Sequence, residues 1–99
     1  MRQLIRAPQA IIDLNEVIAY LDQHSEPAAV ALADAVDRKV EQLRTVPFRG
    51  KARDDLSPGL RSVVIGDYLL FYRVSDELVE FVRLLHGRRD LPAAFGDST

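Results

Sequence analysis

The chain has 99 residues, enough for one domain with a single core and too few for two. It has no cysteine, and its two histidines, His24 and His86, stand far apart, which excludes a disulfide framework and a thiolate metal site and leaves no ligand set for structural zinc. The net charge of −2 lacks the basic excess of a protein that holds nucleic acid through phosphates, so strong nucleic-acid binding by the chain alone is not expected.

Met1-Arg2-Gln3-Leu4-Ile5-Arg6 lacks the apolar region of a signal peptide, and no apolar run approaches the roughly 20 residues of a membrane span. The expected location is the cytoplasm, with no membrane partner. Residues 2–6 alternate weakly and predict one short strand. Pro8 then opens a helix, where its missing N–H costs nothing. Ile11, Leu14, Val17, Ile18 and Leu21 recur at helical spacing through Gln23. Ser25-Glu26-Pro27 stops that helix and starts a second, with Ser25 or Glu26 as cap and Pro27 in the first turn. Ala29, Val30, Ala33, Val36, Val40 and Leu43 form the stripe of the second helix, and its alanines favour helix and close approach. The two helices read as an antiparallel hairpin.

Pro47 ends the second helix, and residues 47–59, rich in Pro, Gly and charge, read as a surface loop. Three strands follow: Leu60 to Ile65, Tyr68 to Val74 after a Gly66-Asp67 turn, and Leu78 to His86 after Ser75-Asp76-Glu77. Residues 96–99 are expected to fray. The fold class is α+β: an N-terminal strand and a helical hairpin packed on a small antiparallel sheet, in one domain over residues 1–99.

With Gly66-Asp67 in the turn, Ile65 opposes Tyr68 and Arg61 opposes Tyr72. With Asp76-Glu77 in the next, Val74 opposes Val79, Arg73 opposes Glu80 and Tyr72 opposes Phe81. Side chains alternate between faces, so Arg61, Tyr72 and Arg83 share one face and Arg73, Glu80 and His86 the other; a one-residue slip in the second hairpin would reverse this grouping. Arg73 and Glu80 are expected to form a cross-strand ion pair, worth a few tenths of a kcal/mol, roughly, when solvated.

The last strand ends in Leu85-His86-Gly87-Arg88-Arg89-Asp90-Leu91. Two arginines straight after a strand-ending glycine, with a histidine before it, make either a cationic site or a tie-down in which Arg88 and Arg89 meet Asp90 or Asp54-Asp55. These words, together with Asp13-Leu14 in the first helix, Gly59-Leu60-Arg61-Ser62 and Gly66-Asp67-Tyr68-Leu69-Leu70-Phe71-Tyr72-Arg73-Val74, resemble the ParE-type toxins of the RelE/ParE superfamily of bacterial toxin–antitoxin modules. The resemblance covers residues 2–95. It implies the RelE/ParE-like fold, no cofactor and no metal. It also implies a ParD-like antitoxin partner that lays a helix along the hairpin, on residues such as Ile11, Ile18, Leu21, Val36 and Val40, and extended chain near the sheet.

Fold does not choose between the two activities of the superfamily. RelE-like members cleave mRNA on the ribosome, whereas the better-studied ParE-like members inhibit DNA gyrase. Attack by an RNA 2′-hydroxyl needs a proton acceptor, charge stabilisation at phosphate and a proton for the leaving oxygen. A nuclease built on this chain would use His86 with Arg61, Arg83 and Arg89. Yet Val63 stands where a second basic residue is expected, Leu69 where the nuclease carries an arginine, and Phe95 near its terminal tyrosine. The resemblance therefore implies a protein-binding gyrase inhibitor rather than an enzyme. Its candidate toxicity and target-binding residues are Arg61, Tyr72, Arg73, His86, Arg88 and Arg89.

Overall fold

The computed structural model describes residues 1–96. The elements in chain order are β1 (Gln3–Arg6), α1 (Pro8–His24), α2 (Glu26–Thr45), a 3-10 turn (Pro47–Arg49), β2 (Lys51–Ala52), β3 (Leu60–Ile65), β4 (Tyr68–Val74), β5 (Leu78–His86) and α3 (Leu91–Gly96). The fraying expected at 96–99 falls outside the described residues, save for Gly96 at the end of α3. No described helix is long and apolar enough to cross a membrane.

Five strands form one sheet in the order β1-β5-β4-β3-β2. β2 to β5 are antiparallel neighbours, and β1 joins β5 in parallel, so the sheet is mixed at that edge. Gly66 takes φ +59°, a conformation that suits glycine, and the turn it makes fixes the β3–β4 register with Ile65 opposite Tyr68 and Arg61 opposite Tyr72.

The helices break where the sequence breaks. Ser25 ends α1 and caps α2, its Oγ accepting the Ala28 N–H at 3.3 Å. The hairpin lies on one sheet face. Ala10, Leu32, Val36, Val40 and Leu43 pack there against Ile65, Leu70, Tyr72, Val79, Phe81 and Leu84. Leu32, not Val30, completes the buried stripe of α2; Val30 points to solvent. On α1 the buried line runs Ala10, Asp13, Leu14, Val17, Leu21, which leaves Ile11 and Ile12 about half exposed.

The second face is covered too. Leu60, Phe71 and Leu85 pack with Phe95 of α3, and Leu56 of the loop closes over them. Phe95 meets Phe71 edge-on at 4.9 Å. The C-terminal segment is therefore held down by an aromatic contact in a second small core.

The β4–β5 ladder keeps the expected register from Val74–Val79 to Tyr72–Phe81 and then shifts. A bulge places Phe71 opposite Arg83 and Tyr68 opposite His86. An extra residue in one strand inverts the alternation beyond it. His86, opposite Tyr68, thus moves to the helix-covered face with Arg61 and Tyr72, reversing its expected place, while Arg83, opposite Phe71, still reaches Asp13 of α1.

Candidate functional site

The end of β5 is tied to the β3–β4 turn. Gly87 donates its N–H to Asp67 O at 2.9 Å, and Arg89 N–H bonds His86 O at 3.0 Å. The His86 ring is held twice: its Nδ1 accepts the Arg88 N–H at 3.1 Å, and Tyr68 meets it edge-on at 5.3 Å. Burial, then the Tyr20 and Asp67 charges, push the Tyr68 hydroxyl above its ordinary pKa, so it stays protonated.

Arg88 and Arg89 are exposed, and neither forms an ion pair among the described residues. The expected tie-down through carboxylates does not occur, because those carboxylates are engaged elsewhere. Asp90 accepts the Ala93 N–H at the start of α3, Asp54 accepts the Gly59 N–H, and Asp55 pairs with Arg53. Two unpaired cations thus follow a histidine held at the end of β5.

The other arginines serve the fold. Arg61 Nη1 donates to Gly50 O at 2.8 Å and to Phe48 O at 3.4 Å. Arg73 donates to Ser57 Oγ at 2.7 Å; although it stands opposite Glu80, the expected ion pair does not form. Arg83 grips Asp13 of α1 through Nε at 2.7 Å and Nη2 at 3.1 Å.

Tyr72 is fully buried, which removes it from any target-contacting surface. Its hydroxyl donates to Pro47 O at 2.8 Å and accepts the Gly50 N–H at 2.9 Å. Burial raises its pKa, against the opposing effects of the Gly50 bond and the Arg61 charge, so the phenol is neutral and able to donate. Tyr72→Phe leaves both backbone groups unpaired, and a loss of about 1–3 kcal/mol in urea unfolding is expected.

Asp13 is the residue whose role its sequence context hides. It is 5% exposed, the sole buried charged side chain among the described residues. β1 ends at Arg6, opposite Phe81, so β5 beyond Phe81 has no strand neighbour on that side. Asp13 Oδ2 accepts the Leu84 N–H there at 3.0 Å, alongside the Arg83 bonds and one from Gln9 at 3.1 Å. Burial raises its pKa, but the bonds from Arg83, Gln9 and Leu84 outweigh that effect and hold the carboxyl below the ordinary aspartate range. The signal in the sequence was a lone acid on the apolar line of α1, three residues after Ala10 and four before Val17.

The expected antitoxin groove needs one correction. Val36 and Val40 are 0% and 2% exposed and belong to the core, so they offer no surface. Leu21 is partly buried against the same core. Ile11 at 45% exposure, with Ile12 at 48% and half-buried Ile18, is the apolar surface α1 leaves open.

Residues 4–91 match the family model of the ParE toxin of type II toxin–antitoxin systems, parDE. The chain belongs to the ParE toxin family. It is 30% identical over 100 residues to Toxin ParE3 of Caulobacter vibrioides, covering all of both chains. It is 32% identical over 89 residues to Toxin RelE2 of the same organism, covering 90% of this chain and 99% of that one. Among solved structures, a chromosomal ParDE TA system from P. aeruginosa shares the fold with a TM-score of 0.71 at 20% identity, over 87% of this chain and 96% of that one. In this ParE-type toxin, Gly66-Asp67 precedes β4 and Leu85-His86 closes β5. Asp13 lies on the hairpin helix that grips the last of these strands.

Proposed function

We propose that the chain is the toxin of a type II module which acts in the bacterial cytoplasm by poisoning DNA gyrase and is neutralised by a ParD-like antitoxin. The observation that carries this reading is the dispersal of the groups an RNA-cleaving site would need. His86 stands opposite Tyr68 and Arg61 opposite Tyr72, so their backbones are offset by about 13 Å along the strand direction, at 3.3–3.4 Å per residue, and lie two strands apart across the sheet. Arg61 is turned onto backbone carbonyls and Arg83 onto Asp13, which leaves Arg89 as the one free cation of the nuclease set. A phosphate clamp needs its donors aimed at one point.

What remains accessible at the end of β5 suits recognition. Arg88 and Arg89, positioned by the Gly87 and His86 bonds, are the target-facing residues of this reading, and His86 holds their backbone. Arg61 and Arg73 are bonded to Gly50 and Ser57 of the segment between α2 and β3. The exposed isoleucines of α1 provide the apolar face on which an antitoxin helix docks.

The 32% identity to a relative named RelE2 favours a second reading, a ribosome-dependent mRNA endoribonuclease using His86 with Arg89. The test is a gyrase supercoiling assay with purified, folded toxin. Inhibition that rises with dose, reversed by the product of a short reading frame just upstream, is expected. Full gyrase activity at large molar excess of toxin would overturn the proposal.

A further inference from the structure

His86 is half-buried, and its Nδ1 accepts the N–H of Arg88, two residues on, at 3.1 Å. A side-chain acceptor bonded to the backbone two residues ahead closes a small turn, the device asparagine and aspartate use in Asx turns. The bond requires a neutral ring with its proton on Nε2. A protonated imidazole donates from both nitrogens, so Nδ1–H would face the Arg88 N–H and the small turn would open. Imidazole is also the side chain whose ordinary charge change falls between about pH 5 and 8.

The groups around the ring allow that exchange. Tyr68 of β4 meets the ring edge-on and keeps its own proton, so it takes none from His86. On α1, Tyr20, whose charge is felt at Tyr68, pairs with the exposed His24 at 4.9 Å. In the β3–β4 turn, the Asp67 carboxylate forms no ion pair among the described residues, and it offers an acceptor to a ring that has released Arg88. On the segment itself, Arg88 and Arg89 are exposed, and Asp90 is bonded to the Ala93 N–H. The remaining ties do not involve the ring. Gly87 N–H to Asp67 O at 2.9 Å and Arg89 N–H to His86 O at 3.0 Å are backbone bonds. Protonation therefore loosens Arg88 without unfastening β5 from the turn.

We propose that His86 is a protonation switch on the Arg88-Arg89 segment: the neutral ring holds the Arg88 N–H and presents both guanidiniums in one geometry, and the protonated ring releases them. Cations held in place before a partner arrives lose less freedom on binding, so the held state is the better binder. The consequence, a grip on the target that weakens as pH falls, rests on the reading of Arg88 and Arg89 as target-facing residues. The switch itself belongs to the free chain.

Its test involves neither gyrase nor antitoxin, so the switch and the gyrase reading can fail separately. The purified chain is titrated from about pH 8 to about pH 5, with NMR of the His24 and His86 Cε1–H groups and of the backbone amides as readout. The Arg88 amide should shift along the His86 curve with the same midpoint. Its heteronuclear NOE should fall at the acid end while those of Leu84 and Leu85 hold. In His86→Asn the side-chain oxygen replaces Nδ1 as acceptor and carries no charge, so the Arg88 amide should lose most of its pH-dependent shift. In His86→Phe the acceptor is gone, and the Arg88 amide should stay near its acid position at every pH. Unchanged amides away from residues 67–68 and 86–90 report that both variants are folded. An Arg88 amide that stays in place while His86 titrates, one that follows His24 instead, or an undiminished shift in His86→Asn would each overturn the proposal.

Discussion

Asp13→Ala is expected to destabilise the fold by about 3–5 kcal/mol, the range for removing one partner of a buried ion pair. The mechanism is specific. Arg83, whose side chain is 17% exposed, keeps its charge without its carboxylate, and the Leu84 N–H on the strand-free stretch of β5 loses its acceptor. Against a total stability of about 5–15 kcal/mol for a domain of this kind, the loss takes a large share. Urea unfolding should show a lower midpoint with an unchanged slope. Replacing both residues with apolar ones, Asp13→Leu with Arg83→Met, should recover part of the loss, because no unpaired charge is left behind. An Asp13→Ala protein within about 0.5 kcal/mol of the parent, the usual range for a neutral surface change, would show that the grip of α1 on β5 carries no energy.

The same group sets an acid limit. The folded pKa of Asp13 lies below its unfolded value of about 3.9. Its contribution is therefore complete above the unfolded value and is lost as pH falls through the folded one. Thermal unfolding followed from pH 7 downward should show stability declining below about pH 4 in the parent. Asp13→Asn should lack that part of the decline.

Gly50→Ala is expected to be the second large effect, about 2–4 kcal/mol from overpacking and a lost buried hydrogen bond. A Cβ at position 50 would sit 2.8 Å from Ser62 O and 2.9 Å from Tyr72 Cε1, where backbone on one side and a buried ring on the other leave no room to yield. The displaced ring is the one whose hydroxyl joins Gly50 N to Pro47 O, so the end of α2 would lose its attachment to β4 as well. At roughly 4–8 °C per kcal/mol for a domain near this size, the melting temperature should fall by roughly 10–25 °C. Gly87→Ala is the internal comparison. Its Cβ would meet Asp67 O at 3.4 Å, an ordinary contact, and its melting temperature should stay near that of the parent. Equal shifts for the two variants would contradict the close approach at Gly50.

Much of the architecture is written in local signals. Pro8, Ser25-Glu26-Pro27 and Pro47 mark the helix ends because each acts on the backbone of its own turn. Gly66-Asp67 carries the β3–β4 register because a two-residue turn leaves one pairing. The bulge at Phe71/Tyr72 was not legible, since no glycine or proline marks it, and it moves His86 to the other face. α3 was missed as well, although Asp90 before Leu91-Pro92 is a usable cap signal, with its Oδ1 accepting the Ala93 N–H.

The site was readable in part. The family words locate the end of β5, but the fate of each arginine depends on acceptors distant in sequence: Asp13 for Arg83, the Gly50 carbonyl for Arg61, Ser57 for Arg73. Periodicity identified Val36 and Val40 as apolar, and their place in the core between the hairpin and the sheet is what buries them. Conversely, Ile11 and Phe48 are exposed for reasons of helix phase and loop path that composition does not record.

The central claim is that these arginines are committed to the fold and assemble no RNA-cleaving centre. Primer extension on mRNA from programmed ribosomes incubated with an equal amount of the folded toxin tests it most directly. Intact message throughout, under conditions where a ribosome-dependent nuclease cuts, is the predicted result. Specific cleavage at the ribosomal A-site codon, abolished by His86→Ala in a protein that still folds, would contradict it.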